Sequence, residues 1–160
     1  MKYILIALLF TLLFNGCSHQ NAFSRFKMQK QEEKGISNSQ SGKIMLDKEI
    51  YGVFSAIYLD DIDLPANEER FYAYFYFKDI DEKDIVNYIK QSLTLNAKPI
   101  QKIEELQNKN RFSYLSSTNN EWNKYYLITF KKEIEEGELK LMFKTQKESS
   151  IPLIYHKETE

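Results

Sequence analysis

Few side chains in this sequence can do chemistry. There is one cysteine, Cys17, and the two histidines, His19 and His156, lie near opposite ends. Zinc needs several thiolate or imidazole ligands gathered around one point, and this pattern does not supply them. Asp60-Asp61-Ile62-Asp63 and Asp79-Ile80-Asp81-Glu82-Lys83-Asp84 carry the carboxylate oxygens that calcium takes. Neither has the alternating acids, central glycine and distal glutamate of a calcium loop. They read as a solvated turn and a helix cap, so no metal and no cofactor are expected. Ser55 and Ser113 have no histidine nearby in sequence, and there is neither a Gly-x-Ser-x-Gly elbow nor a glycine-rich phosphate loop. Paired carboxylates for glycoside hydrolysis stay open as an alternative, because acidic residues distant in sequence can meet in space. No pair is singled out, and the expectation is a protein that is not an enzyme.

What remains is aromatic. Phe71-Tyr72-Ala73-Tyr74-Phe75-Tyr76-Phe77 alternates so that a strand would point Phe71, Ala73, Phe75 and Phe77 one way and the tyrosines the other. The phenylalanine face belongs in a core. Tyr72, Tyr74 and Tyr76, with Trp122 from a later segment, are the candidate binding surface, since Tyr and Trp combine large contact areas with polar tips. The competing reading is structural: cross-strand aromatic pairs stabilise a sheet by about 0.2–1 kcal/mol each.

The N-terminus carries the most specific pattern. Met1-Lys2-Tyr3 is short and basic, and residues 4–14 are apolar except for Thr11. Crossing a bilayer core takes roughly 20 apolar residues, so this run has the length of a signal-peptide core instead. It ends at Asn15-Gly16-Cys17 and turns polar at Ser18-His19-Gln20. A lone cysteine in an exported chain has no internal disulfide partner. Leu13-Phe14-Asn15-Gly16-Cys17 resembles the lipobox of bacterial lipoproteins, with Gly16 as the small residue before the cleavage point and with Phe14 and Asn15 departing from the commonest choices. The resemblance implies cleavage before Cys17, a diacylglycerol on its sulfur, and acylation, as by palmitate, of its new amino group. Ser18, where Asp would resemble an inner-membrane retention signal, implies sorting to the outer membrane, facing the periplasm. The alternative is an uncleaved N-terminal anchor with an incidental cysteine.

Behind the signal lies chain enough for a single domain. Lys and Arg number 22 against 23 Asp and Glu, and no basic stripe of the kind nucleic acid requires is present. The division expected is a signal peptide over 1–16, a lipidated cysteine with a flexible linker over 17–42, a domain over 43–157 and a tail over 158–160. The linker rests on Gly35 and Ser37-Asn38-Ser39-Gln40-Ser41-Gly42; a competing reading makes Phe23, Phe26 and Met28 a short amphipathic helix at the headgroups.

Within the domain, residues 43–63 read as one or two strands, with Gly52 as a bulge or point of close approach. Asp79 and Glu82 have capping-box spacing, and Ile85 and Ile89 lie one helical turn apart, predicting one short helix; a longer one over 80–92 is the alternative. Asn96-Ala97 suits a hairpin turn. WNKYYLITFKK and ELKLMFKTQ read as two strands joined in an antiparallel hairpin through Glu135-Glu136-Gly137. Ile151-Pro152-Leu153-Ile154-Tyr155 reads as an edge strand, since Pro152 cannot donate in a central ladder. The expected fold is mainly β, an antiparallel sandwich immunoglobulin-like in architecture. The expected role is a non-catalytic module holding an envelope protein partner near the membrane, with ligand capture by the tyrosine face and an envelope hydrolase as alternatives.

Overall fold

The computed structural model describes residues 30–59, 62, 67–78, 80–81, 83–116, 120–132 and 137–157. It begins with helix α1 (Lys30–Ser37), followed by β1 (Ser39–Leu46), β2 (Glu49–Tyr58) and β3 (Glu68–Phe77). Helix α2 (Ile85–Ser92) runs directly into β4 (Leu93–Leu95), then β5 (Lys98–Pro99) and β6 (Lys102–Leu106). A 3₁₀ turn (Ser113–Leu115) precedes β7 (Lys124–Lys131), β8 (Glu138–Phe143), β9 (Glu148–Ser150) and β10 (Leu153–His156).

The strands form two antiparallel sheets, in the orders β6-β7-β3-β2-β1-β9 and β10-β8-β4-β5. The protein is therefore mainly β, with the sandwich arrangement expected from its short alternating strands. Between the sheets lie Phe71, Ala73 and Phe75 of β3, with Phe54, Ala56, Tyr126, Ile128 and Phe130 from neighbouring strands. Leu93, Leu95, Leu139, Leu141, Phe143, Leu153 and Tyr155 face them from the second sheet. A leucine or phenylalanine fully removed from water contributes about 1.5–3 kcal/mol, so this layer dominates the stability.

Two expectations about local geometry hold. Ile85 and Ile89 are both buried, four residues apart on one face of α2. Gly52 sits at an irregularity where Ile44 pairs with Gly52 but Met45 pairs with Ile50, leaving Tyr51 as the extra residue. A Cβ at Gly52 would lie 2.8 Å from both the Phe77 ring and the Tyr76 carbonyl oxygen, so it is also a point of close approach. Asp79 and Glu82 lie outside the described residues. The residue at the start of α2 is Asp84, whose side chain makes no capping hydrogen bond.

Two expectations are corrected. β7 and β8 are not a hairpin: β7 pairs with β3 and β6 in one sheet, while β8 pairs with β4 and β10 in the other. Both strands bury alternate residues in the same core, facing each other across it, and alternation fixes a strand's face without fixing its partner. The second correction concerns the linker. Residues 30–42 hold α1 and the start of β1, so the ordered fold begins before Lys43 and has a second helix. Gly35 packs against Leu115 and Gly42 against Phe54 and Leu153, so both glycines serve packing.

Candidate functional site

The tyrosine row of β3 divides along its length. Tyr72 is fully buried, Tyr74 half-buried, and Tyr76 exposed at 48%. Tyr72 is covered because the outer face of the six-stranded sheet has its own small core of Ile57, Leu59, Phe112, Leu115, Tyr125 and Leu127. Its ring stacks on Tyr125 at 6.0 Å and meets Phe112 at 5.6 Å. Asn110 Nδ2 donates to its hydroxyl at 3.4 Å, and burial raises the Tyr72 pKa above the usual tyrosine range. Tyr72 is thus a structural residue. Its side chain offers nothing to a partner, which corrects the reading of a continuous tyrosine surface.

Trp122 is 81% exposed. It is held by a local turn in which Asn120 Oδ1 accepts from the Trp122 and Asn123 amides, each at 3.0 Å. Tyr125 fixes that turn in turn, its hydroxyl donating to the Asn120 carbonyl at 3.1 Å. The row and its companion therefore leave two exposed aromatic residues, Tyr76 and Trp122. Cys17 and His19 lie outside the described residues, as do Asp60, Asp61, Asp63, Asp79 and Glu82. Among the described residues no group of three or more His, Cys, Asp or Glu side chains comes together.

One buried carboxylate stands out. Glu69, on β3, is 1% exposed. Tyr58 donates its hydroxyl to Glu69 Oε2, and Lys157 Nζ lies 2.6 Å from Oε1. Both oxygens are thereby engaged by groups from two other parts of the chain, and the constellation fastens the C-terminal end to the first sheet.

A different place combines shape with polar chemistry. Between α2 and the turn joining β8 to β9 lies a cleft of about 400 Å³. Tyr88, Gln91 and Ser92 line it from the helix, and Thr145, Lys147 and Glu148 from the turn, with Gln146 beside them. The walls are tied together by backbone: the Lys144 amide donates to the Ser92 carbonyl at 2.8 Å, and the Thr145 amide to the Glu148 carbonyl at 2.8 Å. Thr145 Oγ1 accepts from the amides of Lys147 at 3.2 Å and Glu148 at 2.9 Å, which sets the turn. The Tyr88 ring is held edge-on by Phe77 at 5.5 Å and leans on Phe143 at 5.4 Å.

The hydroxyl of Tyr88 is buried against the Glu148 carboxylate, with which it shares a side-chain hydrogen bond. Burial, and then the Glu148 carboxylate facing it, push its pKa well above the usual tyrosine range. The phenol therefore keeps its proton, which it holds toward the Glu148 carboxylate. Nothing in the sequence singles out these residues. Tyr88 follows Ile85 within an apolar helix face, and Glu148 is one acid among many; only the crossing of the chain from β8 to β9 brings them together.

Comparison with known proteins finds no matching family model, no matching curated protein and no matching solved structure.

Proposed function

We propose that the chain is a lipid-anchored lipoprotein of the bacterial cell envelope, attached through acyl chains on Cys17 at the outer membrane and facing the periplasm. Its β-sandwich would be a non-catalytic module that binds or assembles a protein partner near the membrane. The observation that carries this reading is the apolar run over 4–14, too short to span, ending at the lone thiol of Cys17. Each buried methylene contributes about 0.8 kcal/mol, so several acyl chains give stable attachment where one would not. Among the described residues no helix is long and apolar enough to cross a membrane.

The position of α1 sets the working distance. With the first described helix beginning at Lys30, the chain between Cys17 and that helix can extend by no more than about 45 Å. A partner held by this domain would therefore be held close to the bilayer.

Metabolic labelling with an alkyne fatty acid in a Gram-negative host, followed by mass spectrometry of the mature protein, tests the anchor. The expected product begins at Cys17 and carries acyl chains, while Cys17→Ser is unlabelled and remains uncut. A mature chain with a free thiol at Cys17, or normal processing of Cys17→Ser, overturns the reading. Crosslinking in intact envelopes tests the second half: a partner recovered with the native chain and lost with Cys17→Ser is expected, and recovery of nothing above background counts against an assembly role.

A further inference from the structure

We propose that the outer face of the six-stranded sheet lies against the bilayer, seated among the headgroups of the membrane that holds the anchor. The inference rests on the reading of Cys17 as lipidated, and it adds an orientation to that reading.

Among the described residues, most of the large apolar side chains left open to water belong to this side. Val53 and Tyr76 are exposed cross-strand neighbours, on the face that also carries Ile57 and Tyr72. Trp122 stands on a turn held over the same face: the Asn120 that shapes the turn is bonded to the hydroxyl of Tyr125, whose ring stacks on Tyr72. Exposed Tyr114 lies in the 3₁₀ turn whose Leu115 joins the outer-face core, and exposed Ile36 follows Gly35, which packs on Leu115. Helix α1 is therefore on this side, and the chain reaches it from Cys17 through a segment of at most about 45 Å. The outer face of the second sheet differs. Glu138 and Lys140 form an ion pair there at 3.0 Å, and His156 is exposed opposite Glu138, although Ile154 shares that face.

The side chains suit a headgroup region. Tyr and Trp carry apolar rings with polar tips, the form that settles where hydrocarbon meets water. Exposed charges on these elements are of both signs, Lys43 and Arg111 against Glu33 and Glu121, so no single sign draws the face to a strongly charged partner. A few apolar side chains spread over one face are a weak seat for a partner that must be captured from solution. The bilayer is different, because the anchor keeps it beside this face at all times. Contacts too weak to act alone then serve as an intramolecular second attachment. The charged face of the second sheet would lose hydration against lipid, and this orientation leaves it in water.

The test uses the mature chain in phosphatidylcholine vesicles, with and without bromine on the acyl chains. Trp122 is the chain's single tryptophan, so its emission reports this face alone. The expected result is emission shifted to the blue and quenched by the brominated lipid, with both effects insensitive to salt. The double variant Val53→Glu with Tyr76→Glu is expected to lower the ratio of seated to unseated domain by about tenfold or more. Ile154→Glu, on the opposite sheet, is expected to leave the quenching unchanged, and thermal unfolding in detergent checks the fold of each variant. Absence of quenching in the native chain overturns the proposal whatever the variants do. So does quenching that survives the double substitution in a folded chain. Protection of Trp122 from acrylamide that grows with protein concentration and not with lipid would assign the face to a second copy, and also overturns it. Flotation and mass spectrometry report the anchor separately. A chain acylated at Cys17 that floats without quenching sinks this proposal alone, whereas a chain without acyl groups at Cys17 sinks the anchor reading and the seat that depends on it.

Discussion

The side-chain amide of Gln40 engages both backbone polar groups of Ile154: its Oε1 accepts from the Ile154 amide at 2.9 Å, and its Nε2 donates to the Ile154 carbonyl. Gln40 belongs to the first sheet, and Ile154 to β10 at the edge of the second, so one amide joins the two sheets and imitates a neighbouring strand. Ile154 pairs opposite Lys140 with its peptide groups turned away from β8, the part of an edge strand on which another chain would template. Tyr155, next in β10, adds a second link by donating its hydroxyl to the Ala56 carbonyl at 2.8 Å.

Removal of that amide has two expected consequences. Gln40→Ala loses two hydrogen bonds at a partly exposed site, for a destabilisation of about 1–2 kcal/mol by denaturant titration. It also bares the edge at Ile154, so sedimentation velocity should show more self-association than in the native chain. An unchanged midpoint and an unchanged sedimentation profile together would refute the role given to Gln40.

The two tight turns leave room for improvement. Asp47 and Lys48, between β1 and β2, have φ of 49° and 72°, and Asn96 and Ala97, between β4 and β5, have 46° and 64°. Left-handed backbone costs an L-residue with a Cβ roughly 1–2 kcal/mol, which Asn and Asp offset in part through local hydrogen bonds. Asn96 is held by a long-range bond instead, its Oδ1 accepting from the Lys140 amide of β8 at 2.7 Å. Lys48 and Ala97 occupy the positions where glycine is favoured in such hairpins. Lys48→Gly and Ala97→Gly are each expected to stabilise by about 0.5–1 kcal/mol, the relief of strain less the greater freedom of glycine in the unfolded chain. Calorimetry that finds either variant less stable than the native chain contradicts this account.

These turns also show what was legible. Asn96-Ala97 announced itself because asparagine tolerates the left-handed region, while Asp47-Lys48 carries a weaker signal and left residues 43–63 readable as one strand or two. The alternation of Phe71 to Phe77 gave both faces of β3 and their contents. It gave no sign that Phe112 and Leu115, some forty residues later, would cap Tyr72, because coverage of an outer face is a long-range event. The hairpin expected between β7 and β8 failed for a related reason: both strands need the same core, and a core can be shared across sheets as well as within one. Gly35 and Gly42 were misread because close packing and flexibility call for the same residue. The Tyr88 and Glu148 cleft was invisible, being made by a crossing between sheets that no local pattern encodes.

The buried pair of Glu69 and Lys157 should respond unequally to removal of its partners. Lys157→Met leaves a carboxylate that is 1% exposed with only the Tyr58 hydroxyl for company, and stripping one partner from a buried pair costs about 3–5 kcal/mol. Glu69→Gln removes the charge and preserves an acceptor for Tyr58, while Lys157, whose side chain is partly open to solvent, can turn to water. The smaller loss is therefore expected for Glu69→Gln. Chemical denaturation of both variants decides the order, and a larger loss for Glu69→Gln would overturn the assignment of Glu69 as the costlier buried charge.

Alkaline pH should unfold this protein through its tyrosines. Burial raises the pKa of Tyr155 far above the ordinary tyrosine value, and burial is also the leading cause of the upward shifts at Tyr72 and Tyr88. Below about pH 10 the phenols are protonated in both states and their contribution to stability is complete. Above it the unfolded chain releases protons that the folded chain retains, so unfolding gains and stability falls as pH rises. Tyr155, whose upward shift burial alone causes, contributes up to about 1.4 kcal/mol per pH unit in that range, while Tyr72, where the Asn110 hydrogen bond opposes the shift, and the partly exposed Tyr88 contribute less. Urea titrations between about pH 8 and 11 are expected to show a flat region followed by a decline beginning near pH 10. Tyr155→Phe loses the bond to Ala56, costing about 1 kcal/mol at neutral pH, yet declines less steeply above pH 10 because the group that titrates is gone. Parallel alkaline limbs for the native chain and Tyr155→Phe would show that Tyr155 does not govern the transition.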